Sequence, residues 1–530
     1  MPRSNLAFEF DEKKVDAVFA ELDQCRLPGA AVGIAVHGRP VYRKGFGLAN
    51  MELPVVLTPS MRMRIGSATK HMTCLTYLLL CEEGKASVDD PLGKYLPELN
   101  SVTHRVTIRQ LMGHTGGLRD AANIRFQFSG MGGMVSTSDL LSLYRDIDTV
   151  NAPPCTSWMY SNGAYVLLSE VVERISGQSL GEAMASRIFR PLEMNSTLLR
   201  RWDADFVENS ATPHMTNPDG QFERPSWGLD FSGGGAVVST VDDMLHWLRH
   251  MDSPVVGSAE TWKLMKSPQV LSNGSSTGYG LGLVTGRYRG VETLYHIGGW
   301  LGASAQVLKV PAVGVDIAIM VNRHDVSAPL LADQVLDACI RGLEPPANVP
   351  AHVIGTFISP RTGRVVQLYE KQGQQVASID GYELVVEADS EGTMSPAGAL
   401  RYVKQSLTPL GDPLRPSAVR LSDFGNQDEL KAVQPEREAD LKAVVGTYRS
   451  DSADVEATVS AAGESLKLVT KGRFGSMVYD DLKNLAQGVW LARPTGGAKE
   501  WFGSILSFTR DGLTFRSYAI PSPLLFQRVV

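Results

Sequence analysis

Apolar and polar positions follow two different periods along this chain, and the change from one to the other divides it. Ala31-Val32-Gly33-Ile34-Ala35-Val36, the turn His37-Gly38-Arg39 and Val41-Tyr42-Arg43 predict a β-hairpin. A helical spacing then takes over at 67–83, with Cys74, Leu75, Leu78, Leu79 and Cys81 on its apolar face and Gly84 as its stop. Further amphipathic helices are expected at 138–147, 165–175, 180–188 and 241–251. Strand-like runs return at 294–296, 304–308 and 315–321. Strand, many helices, then strands again predicts an α/β or α+β unit around one sheet.

The texture changes at Gly342-Leu343-Glu344-Pro345-Pro346-Ala347-Asn348-Val349-Pro350, where helical periodicity ends and prolines gather. Beyond it come short strands with turn signals, at 365–369, 375–379, 455–459, 465–469 and 503–508, a barrel or sandwich pattern. Val353-Ile354-Gly355-Thr356-Phe357 returns 91 residues later as Val444-Val445-Gly446-Thr447-Tyr448, which predicts two small barrels. The expected organisation is a catalytic domain at 1–343, a linker at 344–350, one β-barrel at 351–434 and a second at 435–530.

Length and composition fit this division. At 530 residues the chain is too long for one core, and 43% hydrophobic with 20% charged residues is ordinary for a globular protein. A net charge of −6 argues against nucleic acid or an anionic membrane as partner. No run of 18 apolar residues occurs, and the N-terminus has no apolar signal segment. The five cysteines (Cys25, Cys74, Cys81, Cys155, Cys339) are odd in number and scattered, which fits free thiols. A cytoplasmic location is therefore expected.

The chemistry starts at Ser67-Ala68-Thr69-Lys70, the chain's single S-x-x-K. Positions i and i+3 share a helix face, so Lys70 would stand beside the Ser67 hydroxyl. Desolvation or a neighbouring cation would lower the lysine's proton affinity until it could activate that hydroxyl. A serine at a helix start also lies where backbone N–H groups suit an oxyanion. A second candidate is Tyr160-Ser161-Asn162: a phenol acidified by the ammonium could relay a proton, and an amide could hold lysine and substrate together. Alone, Ser161-Asn162-Gly163 reads as a turn. The third is Tyr295-His296-Ile297-Gly298-Gly299, where His296 would donate to the transition state or a substrate carboxylate. Gly298 allows close approach, and the N–H of Gly299 would pair with that of Ser67 around an oxyanion. Alone, His296 reads as a structural histidine before a glycine bend.

Together the three resemble the active-site set of the serine β-lactamase and penicillin-binding family: S-x-x-K, then Y-x-N, then H-x-G where many members carry K-T-G. Gaps of 93 and 136 residues separate Ser67, Tyr160 and His296 in the family's order. His114-Thr115-Gly116-Gly117-Leu118 resembles the family's H-T-S-G-L turn, and Gly234-Gly235-Ala236-Val237-Val238-Ser239-Thr240 its glycine-rich strand. In overall layout the chain is similar to the bacterial D-aminopeptidases, whose catalytic domain is followed by two antiparallel β-barrels. The resemblance implies Ser67 as nucleophile, Lys70 as proton acceptor and donor, Tyr160 as general acid/base, Asn162 as orienter and His296 in the third-motif place. It further implies no cofactor and no metal, release of N-terminal D-residues from short peptides, amides and esters, a homodimer, and inhibition by β-lactams. In those enzymes a loop of the last barrel shapes the pocket for a free amine. Here the candidate loop is Arg493-Pro494-Thr495-Gly496-Gly497-Ala498-Lys499-Glu500, with Arg493, Gly496 and Lys499 as expected contacts; Asp480 and Asp481 in the preceding turn are the alternative. The competing functions are a carboxylesterase or β-lactamase-like hydrolase on the same domain, and a binding protein that β-lactams acylate.

Overall fold

The computed structural model describes residues 6–24, 26–131, 133–217, 219–345, 352–412, 415–436, 440–463, 465–495 and 503–529; of Asp481 only the backbone is described. The catalytic unit is built on a six-stranded antiparallel sheet in the order Val284–Tyr288, Val291–Trp300, Ala303–Val310, Val315–Val321, Ala30–Val36, Arg39–Phe46. The N-terminal hairpin thus closes onto strands almost 300 residues later, with Val36 opposite Val315 and Ala30 opposite Val321. Central strands are buried on both faces, as their unbroken apolar sequence requires: all seven residues of Val315–Val321 are buried. Helices Glu12–Phe19 and Ala328–Cys339 cover one face through Val15, Phe19, Val335 and Leu336. Val241–His250 covers the other, so closely that a Cβ at Gly33 would stand 2.2 Å from Val241 Cγ1.

Behind that helix lies the helical layer holding the first motif. Thr69–Glu82 is buried at eleven of its fourteen positions, packed against Asn162–Ser176 and Ala259–Lys266. The expected helix from 67 is therefore split: Ser67 sits in a tight 3₁₀ turn, Gly66–Ala68, and the α-helix begins at Thr69. The helix expected from 165 begins earlier, at Asn162, because Ser161 caps it by accepting the Ala164 N–H at 3.0 Å.

After residue 345 the chain forms two antiparallel β-structures, as expected. In the first, eight strands from Gly355–Ile358 to Asn426–Val433 close into a barrel through Thr356 opposite Val433. The second is a nine-stranded sheet between residues 446 and 529 that curls until Ser465 Oγ donates to the Leu482 carbonyl at 3.4 Å. The repeat noted in the sequence has a structural meaning. Gly355–Ile358 and Gly446–Ser450 each open their unit and each pair with both the next strand and the last one.

Both units are fastened to the catalytic domain. The first is held by Arg401 on Asp333 (2.6 Å) and by Asn426 Nδ2 on the Thr156 carbonyl (2.9 Å). The second grips helix Ala121–Ser129, which no expectation included. Thr470 Oγ1 donates to Phe128 O at 3.0 Å, Tyr479 donates to Gln127 O at 2.6 Å, and Phe128 packs between Phe515 and Phe526. Among the described residues no helix is long and apolar enough to cross a membrane.

Candidate active site

Two glycines bring the first and third motifs together. Gly66 has φ +51°, and a Cβ there would lie 2.6 Å from Gly299 O; a Cβ at Gly298 would lie 1.9 Å from Ile65 O. Only glycine allows the two backbones to touch in this way. The contact sets Ser67 beside Gly299, whose own Cβ position is open, with nothing within 4 Å.

Lys70 is fully buried one turn below. Its Nζ donates to Ser67 Oγ at 3.1 Å, Asn162 Oδ1 at 2.8 Å and the Gly234 carbonyl at 2.6 Å. All three acceptors lack a full charge, so burial wins and pulls the ammonium's pKa down to about 7; Asp120 and then Cys74 pull weakly the other way. Near neutrality a large fraction of Lys70 is thus free amine with a lone pair available to Ser67. The Tyr160 ring centroid lies 4.7 Å from Nζ, and its hydroxyl is near enough to Ser67 to feel it electrostatically. The expected acidified phenol is corrected here: burial pushes the Tyr160 pKa up, and Ser67 offsets only part of that. Tyr160 is a neutral hydroxyl.

His296 also differs from expectation. Its Nδ1 is 2.7 Å from the Ile297 carbonyl, which can only accept, so Nδ1 carries the proton; Nε2 then accepts from the Tyr279 hydroxyl at 2.9 Å. Burial, then the Lys70 charge, hold its pKa at about 3. The ring lines the cavity as a neutral group with both nitrogens engaged, so the free donor expected of it is absent. His114, at φ +60°, is the turn residue anticipated: its Nδ1 accepts the Ser161 N–H at 3.1 Å and its ring lies 4.4 Å from that of Tyr160. Cys74 is an inert buried thiol, pushed up to about 12 by burial.

Ser67 opens into a cleft of about 300 Å³. Its floor is the three motifs with Asp120, Asn123 and Gln127. Its roof comes from the barrels: Tyr382, Tyr402 and Phe424 from the first, Tyr518 from the second. Trp158 joins floor to roof, stacked on Phe424 at 5.1 Å and edge-on to Tyr402 at 6.1 Å. A serine hydroxyl beside a buried lysine of lowered proton affinity, in a pocket lined by aromatic rings, suits acyl transfer.

The family profile described as Beta-lactamase matches residues 15–340. The chain belongs to the β-lactamase family. With fold and site in agreement, it is a serine hydrolase of the β-lactamase type. Similar curated proteins include the D-aminopeptidase of Gluconobacter oxydans, 25% identical over 476 residues covering 88% of this chain and 87% of that one. Another is the D-aminopeptidase of Brucella melitensis, 24% identical over 473 residues with the same shares. Among solved structures, the octameric penicillin-binding protein homologue of Pyrococcus abyssi aligns at TM-score 0.58 and 22% identity, over 80% of this chain and all of that one. The D-amino acid amidase of Ochrobactrum anthropi aligns at 0.53 and 21%, over 62% and 97%. The chain thus shares its fold with these two solved structures.

The family frame accounts for the motifs but not for the barrel contacts. Asp480 does not line the cavity; it is exposed and pairs with Lys467 at 3.2 Å. Arg493 is turned to Glu383 of the first barrel at 2.6 Å and also stays outside the lining. Asp481 begins a strand, and its backbone opposes Arg493. Gly496 and Lys499 lie outside the described residues. The residues missed by the sequence reading are Asp120, Gln127, Trp158 and the roof tyrosines. Only Asp120 carried a signal, as an acidic residue opening a helix after the His114–Leu118 turn.

Proposed function

We propose that this chain hydrolyses amides, short peptides and esters with a small N-terminal D-residue, through an acyl-enzyme on Ser67. The observation that carries the reading is the fully buried Lys70 amine, 3.1 Å from Ser67 Oγ and poised near neutrality. Ser67 Oγ attacks the carbonyl carbon as its proton passes to Lys70 Nζ. The oxyanion sits between the N–H groups of Ser67 and Gly299. Collapse breaks the bond to the leaving group, which takes its proton from the Tyr160–Lys70 pair and departs, leaving Ser67 esterified. Water then adds to the ester, Lys70 again accepts the proton, and Ser67 is regenerated with release of the acid. Tyr160 works in this scheme as a relay: burial keeps its hydroxyl protonated, and it passes that proton to the leaving group as the Lys70 ammonium replaces it. Asn162 orients Lys70, and neutral His296 shapes the wall.

The D-preference is supported by the curated relatives named D-aminopeptidase, which match along catalytic domain and barrels alike. A small substrate fits a 300 Å³ cleft lined by six aromatic side chains, Trp158, Tyr160, Tyr382, Tyr402, Phe424 and Tyr518. Homodimer formation and acylation by β-lactams belong to the same reading; light scattering and the mass of a penicilloyl adduct test them. The decisive panel is hydrolysis of D-alanine p-nitroanilide, L-alanine p-nitroanilide and p-nitrophenyl acetate. Preference for the D-anilide over the L-anilide is expected. Ester turnover without anilide turnover would make the protein an esterase.

A further inference from the structure

We propose that Asp120 is the receptor for the substrate's free ammonium group, taking the place expected of the last barrel's charged loop. This deepens, and rests on, the serine-hydrolase reading of the same cavity. Asp120 caps helix Ala121–Ser129 and is only 3% exposed. Its Oδ1 accepts the Asn123 N–H at 3.0 Å, while Oδ2 is buried with no hydrogen-bond partner among the described residues. An unpaired carboxylate oxygen away from water is unfavourable until a donor meets it. The same residue lines the Ser67 cavity.

Position decides between the carboxylates. In an α-amino amide the ammonium nitrogen is two bonds, roughly 2.5 Å, from the scissile carbonyl carbon. Its receptor must therefore stand beside the nucleophile. Asp120 is near enough to act electrostatically on both Lys70 and Tyr160. The cavity's other described carboxylate, Asp423, sits in the roof with both oxygens occupied, one by Arg364 at 2.7 Å and one by Gln405 at 3.1 Å. Asp120 alone among the described lining carboxylates keeps an unpartnered acceptor, the buried Oδ2.

Occupation by an ammonium would also affect the base. The titratable groups facing Lys70 are Asp120, Cys74, Tyr160, Tyr165, His114 and His296. Burial keeps the thiol and both phenols protonated and both imidazoles neutral, so Asp120 is the charge that favours protonated Lys70. A substrate cation cancels that influence and frees the amine to accept the serine proton. Cationic substrates would thus prepare their own base.

Asp120→Asn tests this, because asparagine keeps the helix cap while removing the charge. The readout is the ratio of kcat/KM for D-alanine p-nitroanilide over N-acetyl-D-alanine p-nitroanilide, with p-nitrophenyl acetate in parallel. The ratio is expected to fall by about 50-fold, more than 2 kcal/mol of lost discrimination, chiefly through KM of the free-amine substrate. The acidic limb of ester turnover is expected to move to lower pH. An unchanged ratio overturns the proposal, as does an equal loss for both anilides, which would make Asp120 a purely structural cap. An unaltered enzyme with Ser67-dependent ester turnover but no free-amine preference also overturns it and leaves the hydrolase reading standing. Loss of Ser67 dependence would remove both. Should Asp120→Asn fail to fold, competition in the unaltered enzyme decides. D-alanine amide must inhibit ester turnover at least about tenfold more strongly than N-acetyl-D-alanine amide, and equal inhibition contradicts the proposal.

Discussion

The floor and the roof of the cavity are built on opposite principles. The floor is polar and made by short segments in which two or three neighbouring residues act together: Ser67 with Lys70, Tyr160 with Asn162, Gly298 with Gly299. The roof is assembled from separate turns and strand ends of the barrels, where the rings of Tyr382, Tyr402, Phe424 and Tyr518 stand beside the Asp423–Arg364 pair. Chemistry needs atoms fixed to fractions of an ångström, which a helical turn or a glycine contact supplies locally. Selection by shape can be supplied by distant elements that dock over the site. On the proposed reading the floor breaks the bond and holds the substrate's charged end, and the roof limits the shape that reaches it.

Ser67→Ala should produce the largest effect, a loss in turnover of about 10⁴-fold or more, measured with p-nitrophenyl acetate on a protein of unchanged melting temperature. Lys70→Ala should follow with a loss of about 10³-fold. In the unaltered enzyme the same lysine should set the pH profile. Its pKa is lowered to about 7, so the base form prevails above that value. kcat/KM should therefore fall about tenfold per pH unit below it and level off above it; a flat profile between pH 5 and 9 would contradict a lysine base. Gly298→Ala should cost about 100-fold, because a Cβ 1.9 Å from Ile65 O must displace Gly299 from Ser67.

Roof substitutions should separate from these in kind. Phe424→Ala removes the ring stacked on Trp158 and should lower stability by about 3 kcal/mol, seen in a denaturant titration. It should also raise the rate on p-nitrophenyl butyrate relative to the acetate, whereas equal loss on both esters would make the roof part of the machinery. The smallest effect belongs to Asp480→Asn. Its exposed pair with Lys467 is remote from the cavity lining, so rates and D/L preference should stay within about twofold.

The same division explains what the sequence revealed. The three motifs, the order of sheet and helices, and the two barrel-opening strands are local patterns, and each survives in the structure. Helix Ala121–Ser129 escaped because it has no polar face: every residue but Asn123 is buried, between the catalytic core and the second barrel. A helix covered on all sides shows no 3.6-residue stripe. Tyr160 and His296 were found by position and misjudged in state, since their protonation depends on burial by segments far away in sequence. Asp480 and Arg493 were chosen for charge alone, and in the fold those charges already have partners in Lys467 and Glu383.

The central claim is that Ser67 carries the acyl group. Rapid quenching during turnover of p-nitrophenyl acetate, followed by peptide mass spectrometry, tests it most directly. One added acetyl group is expected on the peptide containing Ser67, and it is absent from Ser67→Ala. Full turnover with no adduct on that peptide, or an adduct that persists in Ser67→Ala, would contradict the account.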